Sequence, residues 1–86
     1  MDNRRTVLLA DANEEFRGML REAIEKTEEF TVVGSTGDGM EALQLIGQYR
    51  PELLVMDVVL PGLDGLGVLR QLKRQEKDKP KEIVLS

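Results

Sequence analysis

The sequence predicts an α/β domain, a doubly wound parallel sheet with helices on both faces. Three observations predict it. Apolar strand-like runs alternate with amphipathic helical patterns in the order β-α-β-α-β-α-β, the order in which crossover helices link parallel strands. The run Leu53 to Met56 has no alternation of polar and apolar residues, which is how a strand covered on both faces reads. Two of the apolar runs also end in a carboxylate, Asp11 and Asp57, where the crevice beyond the carboxyl ends of a parallel sheet takes ligands.

Each element follows from local pattern. Thr6–Ala10 is a short apolar run that stops at Asp11. Asn13-Glu-Glu can cap and charge a helix start, and Phe16, Met19, Leu20, Ala23 and Ile24 follow at helical spacing until Glu28-Glu29. Phe30–Ser35 is rich in β-branched residues and predicts the second strand. The Gly37-Asp38-Gly39 loop leads into a second helix. Asp38 with Glu41 resembles a capping box, Ala42, Leu45, Ile46 and Tyr49 repeat behind it, and Arg50-Pro51 stops it. Leu53–Met56 is the central strand, and Asp64-Gly65 supply the turn after it. Val68, Leu69 and Leu72 edge a third helix with a basic, solvated tail, Lys73 to Lys79. Pro80 ends that tail, and Ile83-Val-Leu85 opens a fourth strand.

Composition excludes several chemistries. The 86 residues carry 12 basic and 16 acidic side chains, a net charge of −4, and neither cysteine nor histidine. Disulfides, thiolate metal sites and imidazole proton shuttles are therefore absent, and any metal is held by oxygen, which suits magnesium or calcium. The acidic balance and lack of a basic cluster predict no direct nucleic-acid contact by this segment. No apolar run approaches the roughly 18 residues of a membrane span, and no signal peptide opens the chain. The expectation is a cytoplasmic protein with no membrane partner.

Ala10-Asp11-Ala12-Asn13, the stretch Met56 to Gly65 with Asp57, Leu60-Pro61 and Asp64-Gly65, and Ile83-Val-Leu-Ser86 together resemble the receiver domain of bacterial two-component response regulators. The resemblance spans the chain, and Asp64-Gly-Leu-Gly-Val-Leu69 with the Gly37-Asp-Gly loop is similar to the stage-zero sporulation type. It implies a flavodoxin-like receiver fold with strand order 2-1-3-4-5, truncated here after the fourth strand. Residues 1–86 are then the N-terminal part of a receiver, strands 1–4 and helices 1–3. The last strand with its lysine, the aromatic switch residue, the last helices and any output domain lie outside.

The resemblance further implies site roles. Asp57 is the phosphoacceptor, a carboxylate nucleophile toward a phosphohistidine donor. Since the chain has no histidine, the donor is another protein, a histidine kinase or histidine phosphotransferase. Asp11, Asp57 and the Val59 backbone carbonyl are the metal ligands for Mg2+, with Ca2+ as a substitute, and Ser86 is the hydroxyl that contacts the phosphoryl group. Ala12 replaces the acid that usually touches the metal. Either Asp11 or an oxygen from Asn13, Glu14 or Glu15 takes over, or the cation is held weakly. The expected activity is that of a regulatory phosphoacceptor, not an enzyme, controlling a C-terminal output domain that acts on transcription through DNA binding. Val59, two residues past the acceptor, is expected to exclude hydrolytic water.

Alternatives come from other classes. A pseudo-receiver would dock a partner without phosphate, as Ala12 favours and Asp57 with Leu60-Pro61 and Ser86 opposes. An aspartate-nucleophile phosphohydrolase wants a second acid close behind the nucleophile, where Val58-Val59 stand. An inactive fragment with an uncovered fourth strand would self-associate through its sheet edge.

Overall fold

The computed structural model describes residues 3–74 and 79–85. Its order is β1 (Arg5–Ala10), α1 (Glu14–Glu25), β2 (Phe30–Thr36), α2 (Gly39–Tyr49), β3 (Leu53–Met56), α3 (Gly65–Arg74) and β4 (Glu82–Leu85). The four strands form one parallel sheet in the order β2-β1-β3-β4. The chain reverses direction of strand addition between β1 and β3, so those two strands lie side by side in the middle.

The two faces of β1 feed two cores. Leu8 and Ala10 join Ala42, Ile46, Leu54, Met56, Leu60, Val68 and Leu72 under α2 and α3. On the opposite face Val7, Leu9 and Val32 pack beneath Leu20 and Ile24 of α1. That second core is smaller. Leu54 and Met56 are fully buried whereas Leu53 and Val55 are only half-buried, so the unbroken apolar run does not correspond to equal cover on both faces. Val84 and Leu85 of β4 are also partly exposed.

Helix ends obey capping chemistry. The Asn13 side chain accepts from the Phe16 amide at 3.0 Å, and Glu14 and Glu15 place acid in the first turn, where the helix dipole favours it. The helix ends at Glu25, earlier than Glu28-Glu29, because the Thr27 hydroxyl donates to the Ile24 carbonyl and Glu28 turns with φ 63°. The expected apolar stripe divides: Leu20 and Ile24 turn inward, while Phe16 and Met19 are exposed. Asp38 caps α2 through the Met40 amide at 2.8 Å, one position nearer than a capping box requires. Arg50 closes that helix in the left-handed region, φ 47° and ψ 59°, a conformation that stops propagation before Pro51. Asp64 caps α3 by accepting from the Gly67 amide at 2.8 Å.

Two features set the sheet's register. Val7 pairs with Val32 but Leu8 pairs with Gly34, so Val33 is an extra residue in β2 and the ladder carries a bulge there. At the amino ends of the strands Arg5 reaches Glu52 at 3.1 Å and also pairs with Glu82, with Phe30 beneath its guanidinium. One arginine thus touches residues of, or next to, all four strands. These partly exposed contacts raise the Arg5 pKa, chiefly through its hydrogen bond to Glu82. They lie at the end of the sheet opposite Asp11 and Asp57.

Candidate functional site

Parallel pairing of Ala10 with Met56 brings the next residues, Asp11 and Asp57, to adjacent positions at the carboxyl edge of the sheet. The Asp57 amide donates to the Ala10 carbonyl at 2.8 Å, and the Asp11 amide donates to the Thr36 carbonyl at 3.0 Å. Both acids are therefore anchored by main chain just as their strands end. Neither is fully buried. Both carboxylates are therefore reachable from solvent.

Each carboxylate turns one oxygen to its own loop. Asp57 Oδ1 accepts from the Val59 amide at 3.0 Å, and Asp11 Oδ1 accepts from the Asn13 amide at 2.9 Å. These are Asx-type turns, which hold a side chain without a distant partner. Among the described residues the second oxygen of each acid accepts no hydrogen bond. Val59 itself is 73% exposed, so little of its side chain is packed against the rest of the protein.

The loop beyond Asp57 is clamped on both sides. The Gly65 amide donates to the Val58 carbonyl at 2.8 Å, and the Gly39 amide of α2 donates to the Pro61 carbonyl at 3.0 Å. Gly39 has no room for a side chain, since a Cβ there would stand 1.5 Å from the Leu63 carbonyl oxygen. Gly62 takes φ 82°, a left-handed value that glycine adopts without strain. Asp38, predicted as a cap, is one. Its carboxylate belongs to the wall of this loop, next to Gly62.

The residues present fit a magnesium-type cation. Oxygen donors alone are available at this edge, chiefly the two carboxylates of Asp11 and Asp57. Among the described residues no three acidic side chains group together. Magnesium keeps several waters and asks for only one or two carboxylates, which this corner can give. Of the substitutes for Ala12, Asn13 is already committed to the Phe16 amide, and Glu14 and Glu15 are exposed on the first turn of α1. Ser86 lies outside the described residues.

Sequence patterns missed Arg17 and read Gly37 as part of a loop. The Arg17 guanidinium donates from Nη1 to the Asp11 carbonyl at 2.7 Å, on the side of β1 that faces Gly37. The available signal was position: Arg17 follows the cap residue Asn13 by one helical turn, which puts its side chain over the loop that precedes the helix.

Residues 7–86 match the family model of the response regulator receiver domain. A protein-glutamate methylesterase/protein-glutamine glutaminase of Myxococcus xanthus is 44% identical over 66 residues, 77% of this chain and only 19% of that protein. The match thus spans about a fifth of the length of that curated relative. A putative response regulator from Chloroflexus aurantiacus superposes with TM-score 0.82 at 29% identity, covering 95% of this chain and 66% of the other. The receiver domain of a sensor histidine kinase from Pseudomonas aeruginosa, described with a magnesium ion coordinated in its active site cleft, gives TM-score 0.78 at 26% identity over 95% and 66% of the two chains. The similarity to the sporulation type finds no support among these relatives. No helix among the described residues is long and apolar enough to cross a membrane. Sheet order, paired acids and family match agree, and the chain belongs to the response regulator receiver domain family.

Proposed function

We propose that Asp57 is the phosphoacceptor of a phosphorylation-dependent switch, served by a phosphohistidine donor in a histidine kinase or histidine phosphotransferase. The observation that carries this reading is the adjacency of Asp57 to Asp11 across the β1–β3 ladder. The Asp57 oxygen not held by the Val59 amide attacks phosphorus. The bond from phosphorus to the donor imidazole nitrogen breaks, the nitrogen keeps the electron pair, and an acyl phosphate remains on Asp57. A divalent cation held by Asp11, Asp57 and the Val59 carbonyl, when bound, offsets the charge of two approaching anions. Asp11 supplies negative charge for that cation, and the Val59 amide orients the acceptor carboxylate.

On this reading the segment is a regulatory phosphoacceptor, and the controlled activity belongs to an output domain. The Myxococcus relative joins its matching segment to a methylesterase. A DNA-binding output acting on transcription is the reading carried over from the sequence. Ser86 is proposed as the hydroxyl that contacts the phosphoryl group. The pseudo-receiver alternative gains nothing here, since both acids meet at one edge of the sheet.

The test is intact mass after treatment of the intact protein with a small-molecule phosphodonor, with and without magnesium, beside an Asp57→Ala control. One magnesium-dependent phosphoryl group, absent in the control, is the expected result. A folded protein that gains none refutes the reading.

A further inference from the structure

We propose that Arg17 is a positioning residue for the cation corner, holding the Asp11 main chain through its carbonyl in a seat made by Gly37. The proposal rests on the reading that Asp11 and Asp57 share a divalent cation.

Asp11 lies one residue beyond Ala10, the last residue of β1 to pair with both neighbours. Its amide still reaches the Thr36 carbonyl. Its own carbonyl has passed the end of the ladder, and the donor it finds is Arg17 Nη1 at 2.7 Å. A guanidinium donor makes this a charge-assisted bond, shorter and stronger than an amide would give. With the Asn13 amide on Oδ1, the amide, the carbonyl and the carboxylate of Asp11 are all restrained.

The seat is specific. Arg17 is half-buried, and its Nε is buried without a partner among the described residues, a cost that an unseated side chain would escape by turning to water. A Cβ on residue 37 would stand 2.7 Å from Arg17 Nη1, 3.5 Å from the Asp11 carbonyl oxygen and 3.6 Å from Ala12 Cα. Glycine therefore leaves the space the guanidinium occupies. The arrangement matters more in this chain than where two acids follow β1. Ala12 contributes no carboxylate, so the direction of Asp11 alone sets the β1 contribution to the cation.

The experiment is a Mn2+ titration of the intact protein, read by water-proton relaxation, with melting temperature recorded in parallel. Arg17→Met keeps length and removes the donor. Gly37→Ala keeps the donor and fills the seat, displacing only the tip of a flexible side chain. Each is expected to weaken Mn2+ binding by about tenfold, the lower end for residues that orient a metal ligand. The double variant is expected to bind no more weakly than Arg17→Met, because both changes remove one contact. Arg17→Lys is expected to recover part of the affinity, since an ammonium still donates to the carbonyl. A fall in melting temperature with Mn2+ affinity unchanged or tighter in both single variants overturns the role of Arg17. Absence of Mn2+ binding by the unaltered protein overturns the cation reading and this proposal together.

Discussion

The Asp57 amide donates to the Ala10 carbonyl at 2.8 Å, so the proposed acceptor is fixed by the strand that presents Asp11. The two acids cannot drift apart without breaking the central ladder. Geometry at this edge is thus a property of the sheet, and loop residues are left to tune reactivity.

Val59 is the first such residue. Its amide holds Asp57 Oδ1 while its side chain is exposed. Val59→Gln keeps the amide and adds a group able to orient water. The acyl phosphate should then hydrolyse up to about tenfold faster, below the ~10²-fold of a true general base because an amide takes no proton. Phosphoprotein half-life, followed by intact mass, checks this. An unchanged half-life removes Val59 from the control of water.

Ala12 is the second. It is exposed beside Asp11, and a carboxylate there would add charge without displacing packed atoms. Ala12→Asp should tighten magnesium binding on the order of tenfold, since affinity of hard cations follows the count of charged ligands. Calorimetric titration measures it directly. Chelation with EDTA should abolish phosphorylation in both proteins, and equal affinities would show that position 12 does not face the cation.

Gly39 tests the coupling between α2 and the acceptor loop. Gly39→Ala sets a methyl group against the Leu63 carbonyl, backbone against backbone, with no flexible atom to yield. A loss of about 3 kcal/mol is expected, the upper end for overpacking, read as a lower denaturant midpoint at constant slope. A variant as stable as the parent would mean that the loop moves freely away from α2.

Much of this was legible from residue order. The strands, the caps at Asn13 and Asp38, and the carboxylates at two strand ends all follow from local pattern, because period, capping and turn chemistry act over a few residues. What was not legible depends on contacts distant in sequence. Phe16 and Met19 share the spacing of Leu20 and Ile24 yet are exposed, while Leu20 and Ile24 pack on Val7, Leu9 and Val32. Gly39 read as loop punctuation, and its necessity appears only when Leu63 is placed against it. Arg17 carries no pattern in the sequence, and its contact appears only where the end of β1 presents the Asp11 carbonyl.

The extra residue at Val33 also bears on the site. It shifts the remainder of β2 by one position, so that Gly34 meets Leu8, whose side chain would lie 2.6 Å from a Cβ at residue 34, and Thr36 meets Ala10. Thr36 then arrives where its carbonyl can take the Asp11 amide, with Gly37 following at the guanidinium. In a regular ladder without the bulge Leu8 would pair with Val33 and Ala10 with Ser35, and every side chain of β2 beyond that point would change face. A single inserted residue on an outer strand thereby times the arrival of groups that meet Asp11 three residues later.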